Sequence, residues 1–384
     1  RGSVFLPMQV RQNYSVELQG TNTSGNVGVG GNLNYQHKNL LNGAEILNFS
    51  LKGATEWQMG STQYASYGKP YNMLELGGEI KINVPSYSFQ WFKDLLGTYS
   101  IPRIQVSMSY NFQERPVFSR TIANASNAYM WKTDSKRSHS FNPIDLNMVR
   151  IFRLDSTFNE SIKNLYIRSS YIDHVVSATN YTYVYSSRSS EGRKPYYYWR
   201  YNIESAGNIL WGVSRAFNRT QYEATASDEL HYRFLGSRFA QYIKSDLEYR
   251  YGFTVDKYNA FAMRGFVGVG LPYGNFKLMP LEKQYYTGGA NGIRAWQVRS
   301  LGPGTYIGDK TTYPNQSADI KIEGNLEYRF KMVSVFEGAM FLDAGNIWAI
   351  SNKDNREGAV FHFDSFLQQV AVGTGFGLRF VTPY

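Results

Sequence analysis

Apolar and polar residues alternate with a period of two through several long segments of this chain. The clearest alternation occurs in residues 47–59, 74–84, 104–113, 247–256 and 320–330. A period of two predicts β-strands with one apolar and one polar face. Each segment has ten to thirteen residues, whereas strands of soluble proteins most often have about 5–6. A strand that crosses a bilayer needs roughly 9–11 residues, so the lengths favour membrane-spanning strands.

The charged residues of these segments keep to the polar face. In 320–330, for example, Lys321, Glu323 and Glu327 oppose Ile322 and Leu326. A Lys or Arg on the lipid face of a transmembrane barrel costs about 2–4 kcal/mol near the midplane. A soluble β-sandwich would show the same alternation, but with shorter strands. The pattern therefore predicts an all-β fold, a transmembrane antiparallel β-barrel.

About fourteen strands can be read from the sequence. Alternation is broken within 115–235, and no convincing helical stripe appears. Long polar connections occur at 60–72, 187–195, 214–230, 273–317 and 350–366. The candidate strands are 13–22, 26–38, 45–59, 73–84, 103–114, 117–131, 138–153, 163–186, 196–212, 237–254, 258–271, 319–331, 334–348 and 368–380.

Composition narrows the class of protein further. Mean hydropathy is −0.41, and no run approaches the roughly 18 apolar residues of a membrane-spanning helix. The absence of cysteine excludes disulfides, thiolate metal sites and a cysteine nucleophile within this sequence. A net charge of +10 fits solvated loops with a basic excess, or contact with phosphate-bearing lipid headgroups. Nucleic acid is not expected as a partner, because no basic helix or compact basic run appears.

The sequence contains no convincing catalytic motif. The five histidines have no metal-ligand spacing, and neither a G-x-S-x-G elbow nor a Walker loop is present. Gly28-Val29-Gly30 and Gly268-Val269-Gly270 lie inside strand patterns without a following helix, so they do not predict a phosphate loop. We therefore expect no enzyme activity, no metal and no cofactor.

The connection 273–317 is the most informative segment. Loops of this length inside a β-protein are usually functional, and this one carries Arg294 beside Trp296 in a glycine-rich stretch. Glu327 and Asp343 lie on the polar faces of the next two predicted strands. Neighbouring antiparallel strands can bring these carboxylates together, and one guanidinium can bond both. The alternative is that both acids are ordinary polar residues unconnected with the loop.

These motifs resemble the BamA/TamA superfamily of outer-membrane assembly barrels. The family's sixth extracellular loop carries a Val-Arg-Gly-Phe/Tyr motif, which here reads Ile293-Arg294-Ala295-Trp296, with Ala295 at the glycine position. Ser300-Leu301-Gly302-Pro303-Gly304 and Gln19-Gly20-Thr21-Asn22 are similar to Bacteroidota members, particularly the TamL-like lipoprotein branch. The resemblance implies a loop arginine that enters the lumen and pairs with acids of the next two strands, here Glu327 and Asp343.

The resemblance also implies an organisation and a function. Residues 1–12 are expected to be a stub after absent periplasmic domains, and 13–384 a barrel of a sixteen-strand family whose closing hairpin is absent. The first strand would form one side of a lateral seam, with Tyr14, Val16, Leu18 and Gly20 on its outward face. Such a protein folds and inserts client β-barrels at the outer membrane, through contacts with clients, lipid or lipopolysaccharide, and periplasmic or lipoprotein accessory subunits. The alternatives are a secretion pore of the same superfamily and a TamL-type factor in envelope lipid transport.

Overall fold

The computed structural model describes residues 10–23, 26–58, 71–85, 102–161, 171–188, 195–217, 221, 230–276, 278–307, 316–333, 335–352 and 354–380. Sixteen strands and two α-helices lie within these residues, and fourteen of the strands have ten residues or more. The predicted all-β fold with about fourteen readable strands is confirmed. The strands are β1 (Gln12–Thr23), β2 (Asn26–Lys38), β3 (Ile46–Gln58), β4 (Met73–Pro85), β5 (Arg103–Glu114), β6 (Phe118–Lys132), β7 (Arg137–Leu154), β8 (His174–Ser186), β9 (Tyr196–Ala206), β10 (Arg233–Phe234), β11 (Ser237–Phe239), β12 (Tyr242–Thr254), β13 (Asn259–Pro272), β14 (Ile320–Lys331), β15 (Phe336–Trp348) and β16 (Ala371–Phe380).

The long strands follow one another in a single sheet in the order β1 to β9, then β12 to β16. Neighbouring long strands pair antiparallel, as β1 does with β2, β9 with β12 and β14 with β15. The short β11 pairs with β8 in parallel. The chain divides into two compact units, Arg1–Trp131 with Asn142–Phe158, and Lys132–Phe141 with Asn159–Tyr384. The first unit holds β1 to β6 and most of β7. The second holds β8 to β16 and the long loop between β13 and β14.

The apolar face of the long strands is exposed. In the second unit Leu247, Val267 and Met340 all have more than a third of their surface accessible. Their neighbours on the opposite face are polar and largely covered, as Glu248 and Asp343 illustrate. Exposed apolar rows of this extent are expected where the solvent is lipid.

Carboxylates hold two of the short turns. Asp134 accepts hydrogen bonds from the backbone N–H groups of Lys136 and Arg137, both at 2.7 Å. Asp256 accepts from the side chain of Asn259 at 2.8 Å and from the backbone N–H of Tyr258 at 2.6 Å. These bonds lower the pKa of Asp134 and of Asp256. Turns of this kind fix the register of the strands they join.

Two predicted strands are interrupted in the structure. The predicted strand 196–212 ends at Ala206, because Gly207 adopts a φ of 74° that a strand does not allow. Glycine is needed there, since a Cβ would collide with the carbonyl oxygen of Ala240. The predicted strand 237–254 is divided into β11 and β12.

Two helices lie within the described residues. Helix α1 spans Ser156–Ser161, between β7 and β8. Helix α2 spans Asn208–Ala216, and its residues 208–212 were predicted to continue the strand 196–212. No helix of the described chain is long and apolar enough to cross a membrane. Of the predicted strand 163–186, residues 163–170 lie outside the described residues and β8 begins at His174. The predicted strand 368–380 begins at Ala371, after a 3-10 turn at Phe366–Gln369.

Buried apolar residues gather where the loop 273–319 meets the strands. One cluster joins Phe276 and Met279 of the loop to Val176, Ala206 and Tyr242. A second joins Tyr285 and Ala318 to Phe266 of β13 and Ile347 of β15. The loop is therefore packed against the sheet through its own apolar residues.

Candidate functional site

The described residues of the loop 273–319 lie against the polar face of the second unit. Tyr285 and Ala318 exchange backbone hydrogen bonds of 2.8 and 2.9 Å near its base. At its tip the N–H of Gly289 donates to the carbonyl of Trp296 at 2.8 Å. Gly288 has a φ of 91°, and a Cβ there would collide with the carbonyl oxygen of Gln297. Glycine at this position therefore permits the tight fold that presents Arg294.

Arg294 bonds both carboxylates at the sheet. Its Nε and Nη2 donate to the two oxygens of Asp343, each at 2.8 Å. Its Nη1 donates to Glu327 at 2.5 Å. The backbone N–H of Arg294 also donates to Asp343 at 3.0 Å. A planar guanidinium with donors in a fixed fork suits this arrangement, which an ammonium could not reproduce.

The strand register explains why the two acids converge. Asn325 of β14 lies opposite Asp343 of β15, and Glu327 lies opposite Phe341. All four side chains therefore point to the same face of the sheet, in adjacent rows. The guanidinium carbon of Arg294 is 3.7 Å from the ring centre of Phe341, which forms the floor between the two acids.

Asp343 is fully buried, and its partners leave neither oxygen unsatisfied. Besides Arg294, Asn325 donates to Asp343 at 2.9 Å and to the loop carbonyl of Gly292 at 3.0 Å. The hydrogen bonds to Asp343 raise the pKa of Arg294 above its usual value. The loop arginine therefore stays charged at any physiological pH.

Glu327 is shared by three guanidinium groups. Arg329 donates to it at 2.7 Å and Arg379 of β16 at 2.5 Å, in addition to Arg294. Glu327 thus joins the loop, β14 and β16 through one side chain. The sequence analysis did not identify Arg329 or Arg379, although Arg329 shares the parity of Glu327 along β14.

The remaining motif residues flank the arginine in the loop tip, and two of them lie against β16. Ile293 is fully buried. A Cβ built on Gly373 of β16 would lie 2.6 Å from the Cβ of Ala295 and 3.3 Å from the ring of Trp296. The loop tip therefore rests on backbone that glycine leaves open. Ala295 is not among the described residues with positive φ, so an alanine fits at this position of the motif.

A second ion-pair network lies beside the first. Arg264 of β13 donates to Glu248 at 2.6 Å and to Glu323 at 3.1 Å. Glu323 also accepts a hydrogen bond from the hydroxyl of Thr287 in the loop. The loop is consequently bound to β14 through Glu323 as well as through Glu327. Glu323 lies on the same face of β14 as Glu327, four residues earlier. Sequence analysis could have used this shared face to identify Glu323 as a second partner of the loop.

A cavity of about 400 Å³ opens next to the loop tip. Five arginines and two glutamates are part of its lining, namely Arg200, Arg250, Arg264, Arg294, Arg329, Glu248 and Glu327. Among the residues that the structure describes, no group of three or more His, Asp or Glu side chains is placed to hold a metal ion. The polar face here is built for charged or hydrogen-bonding contacts.

The first strand differs from this site in the exposure of its side chains and in its strand pairing. Tyr14, Val16 and Leu18 are 66%, 73% and 84% exposed. A Cβ built on Gly20 would meet no heavy atom within 4 Å. In the described pairings β1 forms backbone hydrogen bonds with β2 along one of its edges. It is the first strand in the strand order, and β16 is the last. Residues 1–9 of the expected stub lie outside the described residues.

The Omp85 superfamily domain matches residues 12–384 of this chain. Among solved structures, BamA from Haemophilus ducreyi lacking POTRA domains 1-3 is similar with a TM-score of 0.63 and 11% identity, over 98% of this chain and 65% of that one. CdiB from Acinetobacter baumannii gives 0.52 and 10%, over 98% and 55%. CdiB from Escherichia coli gives 0.52 and 9%, over 98% and 57%. The chain spans less than two thirds of each of these relatives, and at such identities the likeness describes the fold.

Proposed function

Because this chain belongs to the Omp85 superfamily, we propose that it folds and inserts client β-barrel proteins by pairing their strands with its own first strand. It is an outer-membrane protein, and the superfamily consists of non-enzymatic assembly and transport barrels. An insertion or secretion role follows from that membership. The choice of insertion rests on the first strand.

The exposure of β1 is the observation that carries the proposal. Its apolar side chains have up to twice the accessible fraction of Leu247 or Val267 in the second unit, which are 40% and 48% exposed. A strand edge offers a row of backbone donors and acceptors that can template another strand. Pairing with β1 would satisfy a client's backbone while its apolar face enters lipid. No covalent chemistry or nucleotide is needed for that step.

The loop arginine has a bracing role in this proposal. Arg294 ties the loop to β14 and β15, and Glu327 extends the tie to β16. A rigid wall allows β1 to exchange partners while the rest of the sheet keeps its register. Arg294→Ala is expected to lower both the thermal stability of the protein and the amount of assembled client. Unchanged heat-modifiability together with normal client levels would count against the bracing role.

Cysteine cross-linking tests the templating step directly. The chain has no cysteine, so single variants Val16→Cys and Leu18→Cys each carry one thiol on the apolar face of β1. A client with one cysteine on the apolar face of its terminal strand should form a disulfide with the variant whose thiol lies opposite that cysteine in the paired register. A second client, with its cysteine two residues away, should form one with the other variant. Glu17→Cys is the matched control, because its side chain points to the opposite face of the strand.

The expected result is cross-linking that alternates along β1. Equal cross-linking at positions 16, 17 and 18 would indicate contact without strand pairing and would contradict the mechanism. So would the absence of cross-links while the client still assembles. The readout is the shifted band of the disulfide-linked pair, before and after reduction.

A secretion pore is the second candidate, and the arginine-lined cavity on the polar face favours it. Depletion separates the two functions. Accumulation of unfolded outer-membrane proteins supports insertion, whereas loss of one exported protein with normal outer-membrane assembly supports secretion.

The finer placement and the partners are proposals that rest on the resemblance of sequence motifs to the family. Ser300-Leu301-Gly302-Pro303-Gly304 supports a TamL-like member of the Bacteroidota, whose clients would include surface lipoproteins or components of envelope lipid transport. The partners we propose are client outer-membrane proteins, lipid or lipopolysaccharide, and periplasmic or lipoprotein accessory subunits. Copurification with identification of the bound chains tests this part.

A further inference from the structure

Helix α2 presents an apolar stripe that no described part of the protein covers. Ile209, Val213 and Phe217 follow one another at intervals of four residues, and they are 62%, 45% and 75% exposed. Ser214 is the buried residue of this helix. An amphipathic helix normally turns its apolar stripe towards a core. Here the stripe faces away from the part of the protein that the structure describes.

The hydrogen bonds of Asn208 place the start of α2 on the apolar side of the sheet. Its side chain donates to the hydroxyls of Ser205 at 2.8 Å and Tyr273 at 2.7 Å. The side-chain oxygen Oδ1 of Asn208 accepts a hydrogen bond from the side-chain amide of Gln241 at 3.3 Å.

Strand alternation assigns the three partners to one face. Ser205 has the parity of Ile203 along β9, and Tyr273 has the parity of Leu271 beyond β13. Gln241 precedes Tyr242, whose hydroxyl bonds Glu204 on the polar face, so Gln241 belongs to the other face. The helix therefore begins among residues of the apolar face.

The exposed row of the sheet leads directly to the helix. Ser205 pairs with Ile243, and Ile243 pairs with Leu271. Ile243 and Leu271 are exposed, as are Ile203 and Trp199 further along β9. These side chains form the surface that faces lipid in an outer-membrane protein. Helix α2 begins at the edge of this surface, two residues beyond the last paired residue of β9, Ala206.

We propose that α2 lies in the interfacial layer of the outer membrane, with Ile209, Val213 and Phe217 among the lipid acyl chains. Short amphipathic helices bind membrane surfaces through such a stripe. On another side of the helix, the guanidinium carbon of Arg215 is 5.2 Å from the ring centre of Trp211. A tryptophan and a basic group suit the headgroup region. The partner of this helix is a lipid surface, and the helix anchors the connection between β9 and β12 to it.

Site-directed spin labelling tests the proposal. The single variants Val213→Cys and Arg215→Cys of the full chain each accept one nitroxide, because the sequence has no other thiol. The proteins are folded into vesicles of phosphatidylcholine and phosphatidylglycerol. Collision rates of the label with oxygen, which concentrates in lipid, and with a water-soluble nickel chelate are then compared. Leu247→Cys on the apolar face of β12 gives the lipid reference, and Glu357→Cys on an exposed loop gives the water reference.

The label at position 213 should show an oxygen-to-nickel ratio close to that of position 247. The label at position 215 should show a ratio closer to that of position 357, because residues two apart on a helix point to different sides. A ratio at 213 equal to the water reference, in protein that remains heat-modifiable, overturns the proposal. Protection of position 213 only in native membrane fragments, and not in the vesicles, indicates a protein partner and also overturns it. If Val213→Cys does not fold, Phe217→Cys one turn later gives the same readout.

Discussion

The hairpin β1–β2 and the pair β14–β15 have equal backbone pairing and very different side-chain support. Each pairs twelve residues with twelve. In the hairpin, Asn34 reaches Ser15 and Glu17 over 3.3 and 3.4 Å. In the pair β14–β15, Glu327 and Asp343 accept hydrogen bonds from the loop Arg294 at 2.5–3.0 Å. Asn325 donates to the loop carbonyl of Gly292 at 3.0 Å. Backbone pairing alone therefore does not determine which part of the sheet is firm.

The difference indicates where the protein can rearrange. Regions with few buried contacts open at low free energy, whereas buried and cross-linked regions open only with the whole fold. The first hairpin has exposed side chains on its apolar face and long, weak bonds on its polar face. In the loop-braced wall, by which we mean β13 to β15 with the described part of the loop 273–319, the buried carboxylates of Glu323 and Asp343 are paired with arginines. An insertase needs both properties in one sheet.

Asp343→Ala should produce the largest loss of stability. The change removes the acceptor for the guanidinium and the backbone N–H of Arg294 and for Asn325. Removing one partner of a buried ion pair costs about 3–5 kcal/mol, and because Arg294 is partly exposed we expect about 3 kcal/mol. Urea-induced unfolding, followed by heat-modifiability, measures the loss. Asp364→Ala, at an exposed loop position, is the control and should be nearly silent.

Arg294→Lys should follow, with a loss of about 1.5–3 kcal/mol. A lysine keeps the charge but cannot bond both oxygens of Asp343 and one of Glu327 in a fixed fork. Arg250→Lys, where the guanidinium is half exposed, is the matched control and should cost less. A double-mutant cycle with Glu327→Gln then isolates the coupling. Coupling close to zero would mean that Glu327 is held by Arg329 and Arg379 alone.

Alternation predicted most of the strands, and the sequence analysis singled out Arg294, Glu327 and Asp343. It could not give the distances or the bond strengths between these three side chains. Alternation placed β5 at Arg103–Glu114 and β2 at Asn26–Lys38 without error, because both strands have one lipid-facing and one polar side. It failed at residues 207–212, where Gly207 turns the chain and α2 keeps an apolar stripe that reads equally well as a strand. The shared use of Glu327 by Arg379 was also not predictable, because it depends on the distance between β14 and β16 across β15.

Gly373→Ala should cost about 1–3 kcal/mol through overpacking. Its new Cβ would lie against Ala295 and Trp296 of the loop tip, 2.6 Å from the nearer carbon. The tip must then shift away from β16, and the bonds of Arg294 lengthen. Limited proteolysis of the loop, together with the unfolding midpoint, measures both effects. Gly324→Ala is the control, because a Cβ there meets nothing within 4 Å; equal losses at the two glycines would contradict the packing argument.

Asn34→Ala should have the smallest effect, below about 0.5 kcal/mol, as for surface positions away from buried networks. Its bonds to Ser15 and Glu17 are long, and one of them lies in an exposed setting. The same substitution at Asn325 removes bonds of 2.9 and 3.0 Å to buried groups and should cost about 1–3 kcal/mol. Hydrogen exchange of the β1 amides gives a second readout: β1 should exchange faster than β14 in the unaltered protein. Similar exchange rates in β1 and β14, with equal losses for the two asparagines, would mean that the first hairpin is as firm as the braced wall, and a strand so held could not exchange partners with a client.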